Sequence, residues 1–170
     1  MAKKLKAKKG KKGFWGKFFA VVGIVLLVVV TLGLGLNAYY NLKYDKVKAS
    51  DYEVGAISTV DGADAESNTS IRLKDGVTVN GLKVDINEED DTIETRVYFY
   101  DAENNFISCT EVLEADFVAS KVTEENVDGN VPENAATARF VITPTADEDG
   151  VVSEDEVAGY AKEVKITFNR

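Results

Sequence analysis

A continuous apolar run near the N-terminus, residues 18–36, constrains this chain more than any other feature. Its nineteen residues contain no charged side chain and a single hydroxyl group, that of Thr31. An α-helix rises about 1.5 Å per residue, so the run would extend about 28 Å, close to the thickness of the hydrocarbon core of a bilayer. The run therefore predicts one transmembrane helix. A cleaved signal peptide and the buried core helix of a soluble protein are the alternative interpretations.

The charges on the two sides of the run predict its orientation. Residues 1–17 form a tail with eight lysines, and the first acidic residue of the chain is Asp45. Lysine-rich flanks stay on the cytoplasmic side, so this tail is predicted to be cytoplasmic and the C-terminal part extracytoplasmic. The lipid bilayer is the predicted partner of the helix. Aromatic residues flank the run as in interfacial belts, namely Phe14, Trp15, Tyr39, Tyr40 and Tyr44.

Two details favour a retained signal-anchor over a cleaved signal peptide. The apolar part of a signal peptide has about 7–15 residues, fewer than the run of residues 18–36. The nearest candidate cleavage site ends at Ala38, and it places the bulky Leu36 where a small residue is needed. We therefore predict a single-pass plasma membrane protein.

The acidic C-terminal part excludes several classes of function. Residues 45–170 hold all 29 acidic residues against 11 of the 20 Lys and Arg residues, a net charge of −18. Such a domain repels the phosphates of nucleic acids, so no nucleic-acid partner is predicted. The chain has no histidine, the commonest general base and zinc ligand, and no intrachain disulfide is possible because Cys109 is the sole cysteine. No G-x-S-x-G elbow or phosphate-binding glycine loop is present, and we predict a non-catalytic protein without a cofactor.

Beyond the apolar run, the hydrophobic pattern indicates β-structure. Residues 37–53 are predicted as a stalk, and residues 54–170 show apolar side chains at every second position in several short segments. Short strands separated by turn signals are typical of a β-sandwich or a jelly roll. The clearest strand covers residues 93–100. The other alternating segments are 71–73, 77–79, 82–86, 106–107, 137–143 and 163–169.

Several segments, in order, resemble one family of β-modules. They are GAIS at 55–58, TSIRL at 69–73, RVYFYDAENNFIS at 96–108, VPENAATARFVIT at 131–143 and YAKEVKITFN at 160–169. Together they resemble the galactose-binding-like jelly-roll domains, of carbohydrate-binding type, in bacterial surface and phage tail proteins. The resemblance implies an all-β jelly-roll module, behind the single N-terminal transmembrane α-helix, that binds glycans or acts as a spacer.

Residues for such a function lie on one face of the clearest strand. Sugar binding uses aromatic rings against the apolar faces of pyranoses and planar polar groups for their hydroxyls, and Arg96, Tyr98 and Tyr100 alternate on the face opposite Val97 and Phe99. The alternative is that the rings pack against a sheet or a covering loop and that Arg96 pairs with an acid. The remaining candidates for ligand binding are Arg72, Tyr160 and Arg139.

Two acidic segments have features of calcium sites. Asp147, Asp149, Gly150 and Glu156 have the spacing of positions three, five, six and twelve of an EF-hand loop, but Thr145 occupies position one. A strand rather than a helix is predicted before this loop. No metal site is therefore predicted. For this loop and for residues 88–91, two interpretations stay open: structural calcium binding and a solvated acidic turn.

The sequence thus predicts a membrane-anchored extracytoplasmic binding module, with a cell-envelope or surface carbohydrate as its ligand. A second interpretation is a structural or assembly subunit whose β-sandwich contacts another envelope protein. In a third, the lysine-rich tail, residues 1–17, engages cytoplasmic partners.

Overall fold

The computed structural model describes residues 12–86, 92–145 and 150–170. The chain divides into two compact units, with the division between Leu42 and Lys43. Most of the first unit is the helix α1 (Lys12–Lys43), and its segment Val21–Tyr40 has no residue buried inside the protein. This helix is long and apolar enough to span a membrane or to be a signal sequence.

The second unit is built mostly from short antiparallel strands. A short helix, α2 (Val157–Glu163), precedes the last strand, and Ala49–Asp51 forms a 3-10 turn. In the described residues the strands are β1 (Tyr44–Lys46), β2 (Tyr52–Val54), β3 (Ala56–Ile57), β4 (Asp64–Ala65), β5 (Ile71–Leu73), β6 (Val77–Thr78), β7 (Lys83–Ile86), β8 (Ile93–Tyr100), β9 (Phe106–Cys109), β10 (Phe117–Val118), β11 (Thr137–Pro144) and β12 (Val164–Asn169).

These strands form two larger sheets and one separate pair. The order in the smaller sheet is β1-β12-β7-β10, and in the larger one it is β2-β5-β11-β8-β9 with β6 also paired to β11. Strands β3 and β4 form a hairpin of their own. All these pairings are antiparallel, and the first strand lies beside the last.

The main core draws apolar side chains from both larger sheets. Phe99 and Phe140 of the larger sheet and Val84 and Ile166 of the smaller one are fully buried in a single cluster. The rings of Phe99 and Phe117, one from each sheet, lie 6.3 Å apart. This arrangement is compatible with a β-sandwich, because each sheet buries one face against the other.

The alternation predicted for residues 93–100 is confirmed. β8 covers Ile93–Tyr100, and Val97 and Phe99 point into the main core. Tyr98 and Tyr100 belong to a second cluster of buried residues on the opposite face of the sheet. This second face of β8 is buried because the hairpin of β3 and β4 covers it.

Three parts of the structure differ from the expected pattern. In the predicted stalk, residues 37–53, strand β1 begins at Tyr44, directly after the end of α1 at Lys43, and pairs with β12. The amide of Arg170 donates to the carbonyl of Lys43 (3.1 Å), which ties the two ends of the second unit together. The other differences are α2 and the hairpin β3–β4, neither of which shows apolar alternation in the sequence.

Candidate ligand-binding face

The face of the larger sheet that points away from the main core collects most of the candidate residues. We call it the outer face and define it by Arg72, Arg96, Tyr98, Tyr100, Arg139 and Val141. The register explains the grouping. Val141 lies opposite both Arg72 and Arg96, and Arg139 lies opposite Tyr98. Three of the four arginines in the chain therefore lie on one face of an acidic domain.

A hairpin covers part of this face. The covering hairpin, residues 55–65, contains β3 and β4, and its buried Ile57 shares a cluster with Tyr98, Tyr100 and Val141. Phe106 of β9 packs beside it, with its ring 5.9 Å from the ring of Tyr100 and 6.4 Å from that of Tyr98. Apolar burial therefore contributes to holding the hairpin on the sheet.

The two tyrosines predicted to stack on a ligand are buried in this structure. Tyr98 is 2% and Tyr100 is 4% exposed. The hydroxyl of Tyr100 donates to the carbonyl of Gly62 in the covering hairpin (2.8 Å). Burial raises the pKa of both phenols above the ordinary value. Of the two interpretations that the sequence leaves open, the structure shows the one in which the rings pack beneath a covering segment, because Ile57 and Phe106 lie against them.

Arg72 holds the base of the covering hairpin. Its Nη1 donates to the carbonyls of Ala56 (3.1 Å) and Ala65 (3.3 Å). On the other side its Nε and Nη2 each lie 2.9 Å from Oε1 of Glu53. The backbone of Gly55 runs against this guanidinium, since a Cβ added there would lie 3.0 Å from the side chain of Arg72. Arg72 therefore joins β2, β5 and the hairpin.

Asp64 joins the covering hairpin to two arginines. Its Oδ1 accepts a hydrogen bond from Nη1 of Arg139 (2.6 Å), and its Oδ2 lies 3.6 Å from Nη2 of Arg72. The Nε of Arg139 donates to the carbonyl of Leu73 (2.9 Å), while its buried Nη2 makes no regular hydrogen bond within the described part of the chain. Charge-assisted contacts of this kind are among the stronger hydrogen bonds in proteins.

The other two candidates are placed differently. Arg96 is half-buried at the outer face, and its Nη1 donates to the carbonyl of Thr110 (3.3 Å). Among residues 12–86, 92–145 and 150–170, no ion pair joins Arg96 to Glu94. Tyr160 is half-buried on α2 and packs against the main core. The structure therefore gathers Arg72, Arg96, Tyr98 and Tyr100 on one face and leaves Tyr160 elsewhere.

Two residues that control this face were not predicted, Asp64 and Gly62. The dipeptide Asp61-Gly62 is a turn signal that would have suggested a hairpin here. Gly62 has φ +67°, and a Cβ at this position would overlap the ring of Phe106. Nothing in the sequence pairs Asp64 with Arg139, which lies 75 residues away.

The chemistry that this face supports is recognition of anions. Guanidinium groups bind carboxylates through paired N–H donors, and they keep their positive charge near neutral pH and so do not act as acids or bases. The acidic residues 88–91 and 147–149, for which structural calcium was left open, lie outside the described residues. Across the described ranges, no group of three or more His, Cys, Asp or Glu residues is placed to hold a metal ion.

Comparison of the chain with protein-family models, with curated proteins and with solved structures gives no match.

The buried tyrosines give a prediction at alkaline pH. Burial raises the pKa of Tyr52, Tyr98 and Tyr100 above the ordinary value, so the folded state binds their protons more tightly than the unfolded state. Their contribution to stability is fully present below about pH 10 and is lost as the pH rises through the folded-state values. We expect their ionisation, followed by absorbance at 295 nm, to coincide with loss of the β-sheet circular dichroism. The variant Tyr98→Phe should lose one tyrosine's share of that amplitude, and ionisation of these rings in an intact sheet would contradict the prediction.

Proposed function

We propose that the chain is a single-pass membrane protein that displays a non-catalytic β-sandwich binding module outside the cell. The observation that carries the proposal is the apolar segment Val21–Tyr40, none of which is buried inside the protein, in a chain whose second unit has its own core. Exposed apolar area of this extent is unfavourable in water and favourable in lipid. The lysines before the segment support a cytoplasmic N-terminus.

The module is proposed to be a jelly roll of the galactose-binding-like type. Support comes from its two antiparallel sheets around a shared core, and from the neighbouring positions of the first and last strands. The ordered segments that resemble this family fall on strands of both sheets. For example, TARFVIT at 137–143 lies within β11, and VKITFN at 164–169 forms β12.

The proposed ligand is a carbohydrate of the cell envelope or surface. Support comes from the outer face, which combines two tyrosine rings with three arginines. Rings stack on the apolar faces of sugars, and guanidinium groups hydrogen-bond to hydroxyls and acids. Stacking on Tyr98 or Tyr100 requires the covering hairpin to move, because both rings lie beneath it.

Orientation in the membrane is tested by labelling. Single cysteines are placed at Lys3 and at Glu125 in a Cys109→Ala background, and intact cells are treated with a membrane-impermeant maleimide. We expect labelling at residue 125 and not at residue 3, with residue 3 reacting after lysis. The reverse pattern would overturn the proposed location.

Ligand binding is tested with the full chain in nanodiscs of neutral lipid. The protein is screened against peptidoglycan fragments and a panel of neutral and acidic glycans, with empty nanodiscs as the control. We expect saturable binding to at least one glycan that survives physiological salt. The proposed ligand class fails if no member of the panel binds.

A second candidate function is a structural or assembly subunit that contacts another envelope protein. The burial of Tyr98 and Tyr100 favours it, since the closed hairpin leaves no aromatic face exposed at these two positions. Crosslinking in whole cells distinguishes the two functions. A defined protein partner that persists after glycan-degrading treatment supports the assembly subunit.

A further inference from the structure

The carboxylate of Asp64 contacts two arginines, as the carboxylate of a bound ligand would. Asp64 is the acidic group that lies between Arg72 and Arg139, and its side chain is 49% exposed. It is carried by a strand of only two residues, Asp64–Ala65. An isolated two-stranded hairpin has marginal stability in water, so its position depends on what it contacts.

The arginines themselves are held independently of Asp64. The Nε of Arg139 donates to the carbonyl of Leu73, and Arg72 is paired with Glu53 at 2.9 Å. Both guanidinium groups lie on central strands of the larger sheet, β5 and β11, which are anchored in the main core. Displacement of Asp64 with the hairpin would free Nη1 of Arg72, which now donates to Ala56 and Ala65, while Glu53 still holds the rest of this guanidinium. Two cations would then face the same volume.

Arg139 also has a second terminal nitrogen that Asp64 does not contact. Its Nη2 is buried and makes no regular hydrogen bond among the residues that the structure describes, although the guanidinium also interacts with the Tyr100 phenol. Burial of a donor without a regular hydrogen bond is unfavourable. A ligand carboxylate that contacts both Nη1 and Nη2 in bidentate geometry would satisfy this group, whereas Asp64 reaches only Nη1.

We propose that Arg72 and Arg139 form a binding site for one carboxylate of an acidic glycan, such as a short oligomer of uronic acids. The two arginines attract this carboxylate locally, against the net charge of −18 that the domain presents to any anion. Asp64 occupies this site in the closed state and is displaced together with the covering hairpin. This inference rests on the proposed function and assigns a ligand class to it. A sugar acid is favoured over an acidic peptide because opening uncovers Tyr98 and Tyr100 beside the arginines, which adds ring faces for stacking.

Two variants open the site by different routes. Gly62→Ala detaches the hairpin, because its Cβ would overlap the ring of Phe106 at a residue with φ +67°. Asp64→Asn removes the competing charge and keeps the shape of the side chain. The matched control is Gly81→Ala, which has the same kind of strain, with φ +62° and a Cβ against Asn169 on the smaller sheet.

The full chain in neutral-lipid nanodiscs is titrated with oligogalacturonate, with its carboxyl-reduced counterpart and with polyglutamate at constant salt. We expect Gly62→Ala and Asp64→Asn to bind oligogalacturonate about tenfold more tightly than wild type, because the site is no longer occupied from within. Gly81→Ala should bind like wild type. Adding Arg139→Lys to Gly62→Ala should abolish the gain, since lysine keeps the charge and loses the bidentate geometry.

Hydrogen exchange of residues 55–65 gives a readout that needs no ligand. We expect faster exchange in both opening variants and slower exchange at residues 137–144 and 71–73 when oligogalacturonate is bound. The inference is overturned if the hairpin opens and no gain in affinity follows, or if its exchange is unchanged in both variants. It is also overturned if polyglutamate gains as much as the glycan.

The failure of this inference can be told apart from failure of the proposed function. If the carboxyl-reduced glycan binds as tightly as oligogalacturonate and gains as much in the opening variants, the arginine site is wrong while glycan recognition stands. If the gain for oligogalacturonate is seen but the maleimide pattern is reversed, the site stands and the proposed location is wrong.

Discussion

Replacing Phe140 by alanine is expected to lower the free energy of unfolding of the β-domain by about 3–5 kcal/mol. Phe140 is fully buried in β11, which pairs with β5, β6 and β8. Its ring lies in the main core, so its removal leaves a cavity between the sheets. Since domains have a total stability of about 5–15 kcal/mol, this single change removes a large part of it.

The effect of Phe140→Ala is measured by urea unfolding, followed by the near-ultraviolet circular dichroism of the tyrosines. Val127→Ala is the matched control, because Val127 is 75% exposed and should change stability by no more than about 0.5 kcal/mol. Equal losses in the two variants would contradict the position of Phe140 in the core.

The sequence predicts the central strands β8 and β11 well because only one face of each strand points into the main core. In β8 and β11 each alternate residue enters the main core, so the period of two is strong over eight residues. Val97, Phe99, Phe140 and Ile142 carry this signal, and all four are fully or nearly fully buried. Where burial alternates along a strand, the pattern of apolar residues follows it directly.

The short elements are not predictable in the same way. β1 has the sequence Tyr-Asp-Lys, which shows no apolar alternation, and it is a strand because β12 offers it an edge. The two-residue strands β3 and β4 are likewise too short for any period to be visible. Their conformation depends on tertiary contacts, such as that between Ile57 and the tyrosines, that local propensity does not contain.

The sequence predicts which residues share the outer face, but it does not predict that the covering hairpin lies over them. Alternation places Arg96, Tyr98 and Tyr100 together, and the pairing of β11 with β8 adds Arg139. The contact of Asp64 with Arg139 joins residues 75 positions apart, so no local pattern indicates it. For the same reason the sequence leaves the exposure of the rings open, and only the folded chain shows that its own hairpin covers them.

Two lysines in the middle of α1 are expected to abolish its insertion into a membrane. Leu26 and Val29 are exposed on this helix, where each lysine would cost about 2.5–3.5 kcal/mol at the centre of a bilayer. The pair Leu26→Lys and Val29→Lys therefore adds about 5–7 kcal/mol to insertion. We expect wild type to stay in the membrane pellet after alkaline carbonate extraction and the double variant to leave it.

An apolar double variant, Leu26→Ile and Val29→Leu, keeps the hydrophobicity of α1 and should be retained like wild type. The intact mass of the membrane-bound wild type then separates an anchor from a signal sequence. A retained anchor gives the full 18.5 kDa chain, whereas cleavage removes α1 from the mature protein. If the lysine variant resists extraction as well as the control does, the exposed apolar face of α1 does not contact lipid, and the membrane attachment of the β-domain must arise elsewhere in the chain.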